Sequence, residues 1–283
     1  MNKELTVVLI SHKSKKLITR FVKEIYDKFE IIIIDNSNDR ELEKKINQDY
    51  SNITLKFVEN NGYGAAINYA SKLIKTNYFL ISNPDIEGMN EKNILEFLTA
   101  AKKLDGKFSS LGPRYINVDA KSHIQSDPDI KMAEMKFISG ACMFFKKEIF
   151  DLLGGFDENF FLYFEETDFC LRAYKIYKNF QINTIKVKHY TGTSVQVESK
   201  EEKRELQKLY NWHFIWSKFY YYKKNYGVFY SLIYFFPIII RTSVKLIFYK
   251  IFKNIEKKEY YSIRLNGLLR SMRGLNSNKR LNK

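Results

Sequence analysis

LTVVLISHKSKKLITRFVKEIYDKFEIIIID, residues 5–35, holds one complete strand–helix–strand unit. Leu5 to Ile10 is a continuous apolar run, the pattern of a parallel strand buried on both faces. Lys16 to Phe29 then sets Leu17, Phe21, Ile25 and Phe29 four residues apart, which predicts a helix with one apolar stripe. Glu30 to Asp35 is a second buried strand, and it stops at an acid. Downstream the alternation repeats. A polar helix is expected over Asp39 to Tyr50, a strand over Ile53 to Val58 and a helix over Ala65 to Lys75. A fourth strand, Tyr78 to Ile81, stops at Asn83-Pro84-Asp85. Strands and helices at this spacing mean βαβ units around a parallel sheet, whose ligands bind beyond the carboxyl ends of the strands.

Composition bounds the rest. At 283 residues the chain can bury one large domain, or one domain with an appendage. The formal charge of +15 invites a nucleic-acid partner, but its placement argues against one. From Arg241 onward there are 12 Lys or Arg against two acids, so the first 240 residues carry only +5. A nucleic-acid site would set its aromatics among those cations. A nicotinamide dehydrogenase is excluded by the first strand's loop, which reads Ser11-His12-Lys13-Ser14 in place of a glycine fingerprint. Two cysteines, Cys142 and Cys170, offer neither a disulfide framework nor metal-ligand spacing, which points to a reducing compartment. The first apolar run is too short for a signal-peptide core, so a cytoplasmic catalytic part is expected.

Three candidate site segments fall at strand ends. Asp35, in Asp35-Asn36-Ser37-Asn38-Asp39, can accept a ring N–H from a nucleotide base, or start a turn and cap the next helix. Asn60-Asn61-Gly62-Tyr63-Gly64 precedes a helix and can offer backbone N–H groups to a phosphate. Asn83-Pro84-Asp85 can supply a carboxylate and an amide oxygen to a hard divalent cation, or be an ordinary turn. After Leu111-Gly112-Pro113-Arg114-Tyr115 the alternation ends, with strand-like pieces near Tyr115–Val118 and Met135–Ile138. Ser139-Gly140-Ala141-Cys142 is small enough to form a wall close to a ligand. A short helix is expected over Lys147 to Leu153 and a strand over Phe180 to Val187, followed by His189, a candidate further ligand for a cation at Asp85.

Between those last two elements lies FDENFFLYFEETDFCLRA, Phe156 to Ala173. Buried, unpaired carboxylates cost several kcal/mol each, so Glu165, Glu166 and Asp168 lie on a surface, line a polar cleft or meet a cation. If a helix starts at Glu165, then Glu165 and Asp168 share a face and Glu166 points elsewhere. The plainer alternative is an acidic first turn suited to the helix dipole, with Asp168 pairing Arg172.

Taken in order, VVLISHKS, IIIIDNSND, ENNGYGAAINYA, LISNPDI, SGACMFFKKEIF, GGFDENFFLYFEETDFCLRA and His189 resemble the family 2 glycosyltransferases. The nearest subgroup is the rhamnosyltransferase-like enzymes of bacterial cell-surface polysaccharide assembly. The resemblance covers about residues 5–195 and implies the GT-A fold, a Rossmann-like mixed sheet flanked by helices. It implies inversion, a nucleotide-sugar donor (dTDP-L-rhamnose by subgroup) and Mg²⁺ or Mn²⁺. By position, Asp35 takes the place of the acid at the donor base, and Asn60, Gly62 and Gly64 face nucleotide and diphosphate. Ser11, Asn83, Gly140 and Asp168 join them as candidate substrate contacts. Asp85 matches the last acid of the metal-binding D-x-D, His189 a downstream metal ligand, and Glu166 the base of the "ED" pair. Asn83 stands where an Asp is common, Glu166 where Asp is more frequent, and His12 where Tyr is frequent. Glu165 is the rival base. A sugar hydroxyl is a poor nucleophile at neutral pH, so a carboxylate must take its proton while a cation stabilises the departing diphosphate.

The division expected is a catalytic domain over 1–198 and a helical extension over 199–283. Lys200 to Lys218 is a charged helix candidate with Trp212 and Trp216 at i, i+4. Tyr226 to Ile240 has no charge, falls short of the roughly 20 residues needed to span a bilayer and contains Pro237. With Val244 to Phe252 and the basic tail, it reads as an amphipathic element on the inner leaflet, placing the protein peripherally at the cytoplasmic membrane face beside a lipid-linked or polysaccharide acceptor. A helical pair packed on the catalytic domain, or a homodimer interface, is the alternative.

Overall fold

The computed structural model describes residues 2–118 and 123–280. Two compact units emerge: Met1–Phe156 with Phe169–Gln196, and Asp157–Asp168 with Val197–Lys283.

The first unit is a mixed sheet. Its strands are β1 (Asn2–Ser11), β2 (Phe29–Asp35), β3 (Ile53–Phe57), β4 (Tyr78–Ser82), β5 (Ile86–Glu87), β6 (Ser110–Tyr115), β7 (Met132–Met135), β8 (Cys142–Lys146) and β9 (Asn179–His189). They lie in the order β3-β2-β1-β4-β8-β6-β9-β5, with β7 also on β9. β3, β2, β1 and β4 run parallel. β8 is antiparallel to β4 and β6, while β9 is parallel to β6. The winding reverses between β1 and β4, the place where open α/β sheets form their ligand crevice.

The unbroken apolar runs of β1 and β2 have a direct use. Alternate side chains point to opposite faces. Val7, Leu9, Ile31 and Ile33 enter one core, with Ile18, Phe21 and Val22 of α1 (Lys15–Lys23) and Phe97 of α4 (Glu91–Lys103). Leu42 and Ile46 of α2 (Arg40–Asp49) join the same core. Val8, Ile10, Ile32 and Ile34 enter the other, with Ile67 of α3 (Tyr63–Ser71), Phe150 of α5 (Lys147–Leu152) and Phe169 of α6 (Glu165–Ala173). The mixed sheet flanked by helices is the expected fold class.

Three expectations need correction here. α1 ends at Lys23, because the chain from Glu24 to Lys28 closes in turns before β2, and the helix buries Ile18, Phe21 and Val22 while Leu17 is only half-buried. The alternation ends at Gly112-Pro113 as expected, with β6, β7 and β8 following without a helix between them among the described residues, but the strand itself lies at Ser110–Tyr115, around the proline and ahead of its expected place near Tyr115–Val118. The pairing with β9 shifts between Pro113 and Arg114, and that bulge accommodates the missing proline N–H. The later strand sits at Met132–Met135, a few residues before its expected place.

The second unit is helical: α7 (Lys200–Tyr226), α8 (Val228–Ile251) and α9 (Ile255–Met272). Ser199 and Glu202 form a reciprocal cap that starts α7. Ile215, Phe219, Phe235 and Leu268 form the core, and Gly267 lets α9 approach α7, since a Cβ there would lie 2.8 Å from the Trp212 carbonyl oxygen. α8 runs unbroken through Pro237 and merges the two apolar runs, because Phe235 on Phe219 and buried Thr242 hold the turns on either side. Segment 157–168 packs on α7, with Phe160 against Tyr220, Phe161 against His213, and the Leu162 carbonyl accepting from Ser217.

Candidate functional site

In the first unit the candidate residues gather at the carboxyl ends of β1 to β4. Ser11 and Asp35 are register partners on adjacent strands. Asp35 is fully buried and accepts from Ser37 N (2.9 Å), Ser37 Oγ (3.0 Å) and Asp39 N (3.1 Å). Asp39 in turn caps α2 through Leu42 N. Asn36 links three strand ends, meeting His12 Nδ1 at 2.7 Å and donating to Asn60 Oδ1 at 3.3 Å. Ser11 Oγ is buried with no hydrogen-bond partner among the described residues.

The glycine turn leads into α3. Gly62 is its N-cap with φ 110°, a conformation a side chain would strain, and no side chain caps the helix start. The first amides of α3 therefore offer donors, and the positive end of a helix dipole, to an anion. Tyr63 donates to the Gly140 carbonyl at 2.9 Å, drawing the Ser139–Gly140 turn against the same helix start.

Asp85 follows β4 and is fully buried. Asn83 N donates to Ala141 O at 2.8 Å and fixes the turn. The short β5 pairs Ile86 with His189, and Tyr190 N donates to Asp85 O, so backbone pairing alone brings His189 to Asp85. His189 Nε2 lies 3.6 Å from Asp85 Oδ1, an oxygen with no hydrogen-bond partner among the described residues, while Thr193 Oγ1 is 3.4 Å from Oδ2. Burial lowers the His189 pKa despite the attraction of Asp85, which favours the neutral imidazole a metal ligand needs. Asn117 holds the His189 backbone in both directions, and His123 Nε2 is 3.2 Å from its Nδ1. An orphaned carboxylate oxygen facing a neutral ring nitrogen fits a divalent cation that takes its other ligands from phosphate and water. Among the described residues no group of three or more His, Cys, Asp or Glu is arranged to hold a metal alone.

In the second unit, Tyr163 and Phe164 adopt φ of 69° and 71°, consecutive left-handed residues just before Glu165. Glu165 is buried and its Oε2 has no hydrogen-bond partner among the described residues; burial and then the charge of Glu166 push its pKa well above the usual carboxylate range. Glu166 is half-buried. Burial raises its pKa too, but amide N–H groups and the Thr167 hydroxyl work against that rise. Adjacent carboxyls thus have distinct environments, Glu166 being the more readily ionised. Asp168 is fully buried, accepting from Lys224 Nζ (2.8 Å) and Asn225 Nδ2 (3.0 Å), and Lys224 also binds Asp157 at 2.7 Å. Arg172 donates to the carbonyls of Leu153 and Gly155. Asn117, Thr193 and Lys224 carried no motif in the sequence, and Asn36, inside IIIIDNSND, was given no role of its own; strand pairing and helix packing bring them to these groups.

Residues 6–154 match the family described as glycosyl transferase family 2, more than half of the chain. The low-salt glycan biosynthesis hexosyltransferase Agl10 of Haloferax volcanii is 24% identical over 195 residues, covering 60% of this chain and 61% of that relative. The match thus spans less than two thirds of the relative's length. Among solved structures, S. aureus TarS 1–349 in complex with UDP-GlcNAc aligns with a TM-score of 0.54 at 14% identity, over 99% of this chain and 95% of that one. GalNAc-T7 with UDP, GalNAc and Mn²⁺ also gives 0.54 at 14% identity, over 77% and 49%. At these identities the structural likeness is one of fold.

Proposed function

The chain belongs to glycosyl transferase family 2 and has the GT-A fold, and from that premise we propose that it moves a sugar with inversion from a nucleotide donor to a hydroxyl of a lipid-linked or polysaccharide acceptor. The work is done at the inner face of the cell membrane. Glu166 takes the proton of the attacking hydroxyl. The observation that carries this assignment is the contrast within the Glu165–Glu166 pair. Glu165 is buried and its pKa is pushed well above the usual carboxylate range, whereas the rise at half-buried Glu166 is opposed by amide N–H groups and the Thr167 hydroxyl, which favour its ionised form.

Asp35 orients the donor base, the α3 amides behind Gly62 and Gly64 receive the diphosphate, and Ser11, Asn60, Asn83 and Gly140 complete the donor contacts. Asp85 and His189 would hold Mg²⁺ or Mn²⁺, which when bound neutralises charge growing on the diphosphate. Asp168 supports the base-bearing segment through Lys224.

The donor is proposed as dTDP-L-rhamnose on motif resemblance. A UDP-activated hexose is the second reading, favoured by the UDP and UDP-GlcNAc bound in the structural neighbours and by the hexosyltransferase relative. Thermal shift and donor hydrolysis across a panel of nucleotide sugars, with and without Mn²⁺, separate the two. Glu166→Gln is expected to abolish transfer and spare donor binding. Near-normal turnover of that variant, with Glu165→Gln inactive, would move the base to Glu165. Nucleotide-sugar binding without turnover against any acceptor would leave a non-catalytic relative.

A further inference from the structure

The outer face of α8 is apolar and exposed along its whole length. Phe229, Ile233, Phe236, Ile240, Ile247 and Ile251 follow one another mostly at three- and four-residue steps, each 48% to 78% exposed. The opposite stripe, through Ser231, Phe235 and Thr242, is buried within the helical unit. A soluble monomer rarely leaves so long an apolar stripe in water. Cations border it. At about 100° per residue, Arg241 lies roughly 100° to one side of Ile240 and Lys250 roughly 80° to the other. Residues 206–255 contain eight Lys or Arg and no acid.

We propose that α8 docks in the plane of an anionic phospholipid surface, its Phe229–Ile251 face entering the acyl boundary and Arg241, Lys250 and Lys253 meeting the headgroups. The helix, 24 residues long, would also be long and apolar enough to cross a bilayer. Two observations favour the in-plane placement. Arg241 sits near the middle of α8, where a crossing helix would hold it at the hydrocarbon centre. α8 also packs on α7 and α9, with Tyr249 stacked on Tyr261 and Lys245 over the Tyr261 ring. A crossing would carry Glu256, Lys257, Glu259 and Arg264 of α9 toward the lipid. A second copy of the chain fits the face less well, because pairing two α8 stripes about their midpoint brings two Arg241 side chains together.

This deepens the membrane-side reading above. Its test measures partitioning, so a failure here leaves the transferase reading intact, and a failure of transfer leaves this one intact. The full-length protein is sedimented at low salt with vesicles of phosphatidylcholine, and with the same vesicles containing about 30% phosphatidylglycerol. Binding is expected to the second and to weaken with salt. Ile233→Ser with Ile240→Ser touches no core contact and is expected to lower partitioning about tenfold or more. Arg241→Glu with Lys250→Glu should remove the preference for anionic vesicles. Nitroxide labels on Ile233→Cys, Phe236→Cys, Ile240→Cys and Ile247→Cys, with Cys142 and Cys170 buried, should report similar depths. Absence of binding overturns the proposal. So does a depth maximum at Ile240, or lipid-independent dimers that the serine variant dissolves.

Discussion

Lys224→Met should release the segment that presents the proposed base without unfolding the protein. Lys224 Nζ bridges Asp157 Oδ2 at 2.7 Å and Asp168 Oδ2 at 2.8 Å, the two ends of the stretch that contains Glu165 and Glu166. Asp168 is fully buried, and Asn225 also donates to it. Removing one member of a buried ion pair costs about 3–5 kcal/mol. The lower end applies, since Lys224 keeps some exposure and Asn225 retains its bond. Against this stands the strain at Tyr163 and Phe164, about 1–2 kcal/mol for each left-handed residue. Clamp and strain are of the same size, so loss of the clamp lets the strain relax. A change of about 3 kcal/mol corresponds to roughly a hundredfold rise in local opening.

Hydrogen exchange should show that rise in amides 157–168 and little change in α9. kcat should fall by about tenfold or more, because small misplacements of a reacting group are costly. Donor affinity should hold, as the proposed donor contacts lie at the strand ends and helix start of the first unit, outside segment 157–168. Lys224→Arg, whose guanidinium can bridge two carboxylates, should restore both readouts. Unchanged exchange in 157–168 with kcat within twofold of the parent would refute the clamp.

Asp85→Asn keeps the shape of the side chain and removes its charge; Mn²⁺-dependent donor binding by calorimetry should disappear, and donor affinity indifferent to chelator in the parent would contradict the role given to Asp85. Glu165 has a folded pKa raised by burial, so its neutral form contributes stability in full below the unfolded value of about 4.3 and loses it as pH rises through the folded value. Glu165→Gln, fixed neutral, should therefore gain Tm over the parent progressively as pH rises above about 4.3; a difference that stays constant with pH would exclude a raised Glu165 pKa. Burial lowers the His213 pKa to about 4, the ring meeting Lys279 O at 2.8 Å and Ser277 Oγ at 2.9 Å. Its folded value is depressed, so stability is full above about 6.5 and falls by roughly 3 kcal/mol as pH drops to about 4. His213→Asn should flatten that slope in calorimetric scans across the same window.

The sheet was legible because its signals are local. Runs such as Leu5–Ile10 and Glu30–Asp35 serve two cores at once, and only a doubly covered parallel sheet uses side chains that way. α4 was equally legible in principle, with Asn90 capping it and Ile94, Phe97, Leu98 and Ala101 on one stripe, but no strand-end residue directs attention there. β6 was not legible, since Gly112 and Pro113 signal a break in any local reading. The glycine is required by Ile138, whose Cγ2 would lie 2.3 Å from a Cβ, and the proline is accommodated at the β6–β9 bulge. α8 failed for a related reason: a proline weighs against a helix locally, while packing through Phe235 outweighs the one lost hydrogen bond.

The acidic stretch shows the same division between local and distant causes. Its carboxylates announced themselves, but their different roles depend on partners far along the chain. Asp168 accepts from Lys224 and Asn225, more than fifty residues away. Its aromatics, which no local pattern explains, pack on α7 through Tyr220, His213 and Tyr221. A helix–turn segment with two left-handed residues is not stable alone; it takes its form from the face it rests on. The sequence feature that fixes Glu166 is therefore not the ED pair itself but the aromatic and basic spacing of α7, from His213 to Lys224. Substitutions along that helix should alter turnover even where they touch neither carboxylate, whereas equally exposed positions on α9 should not.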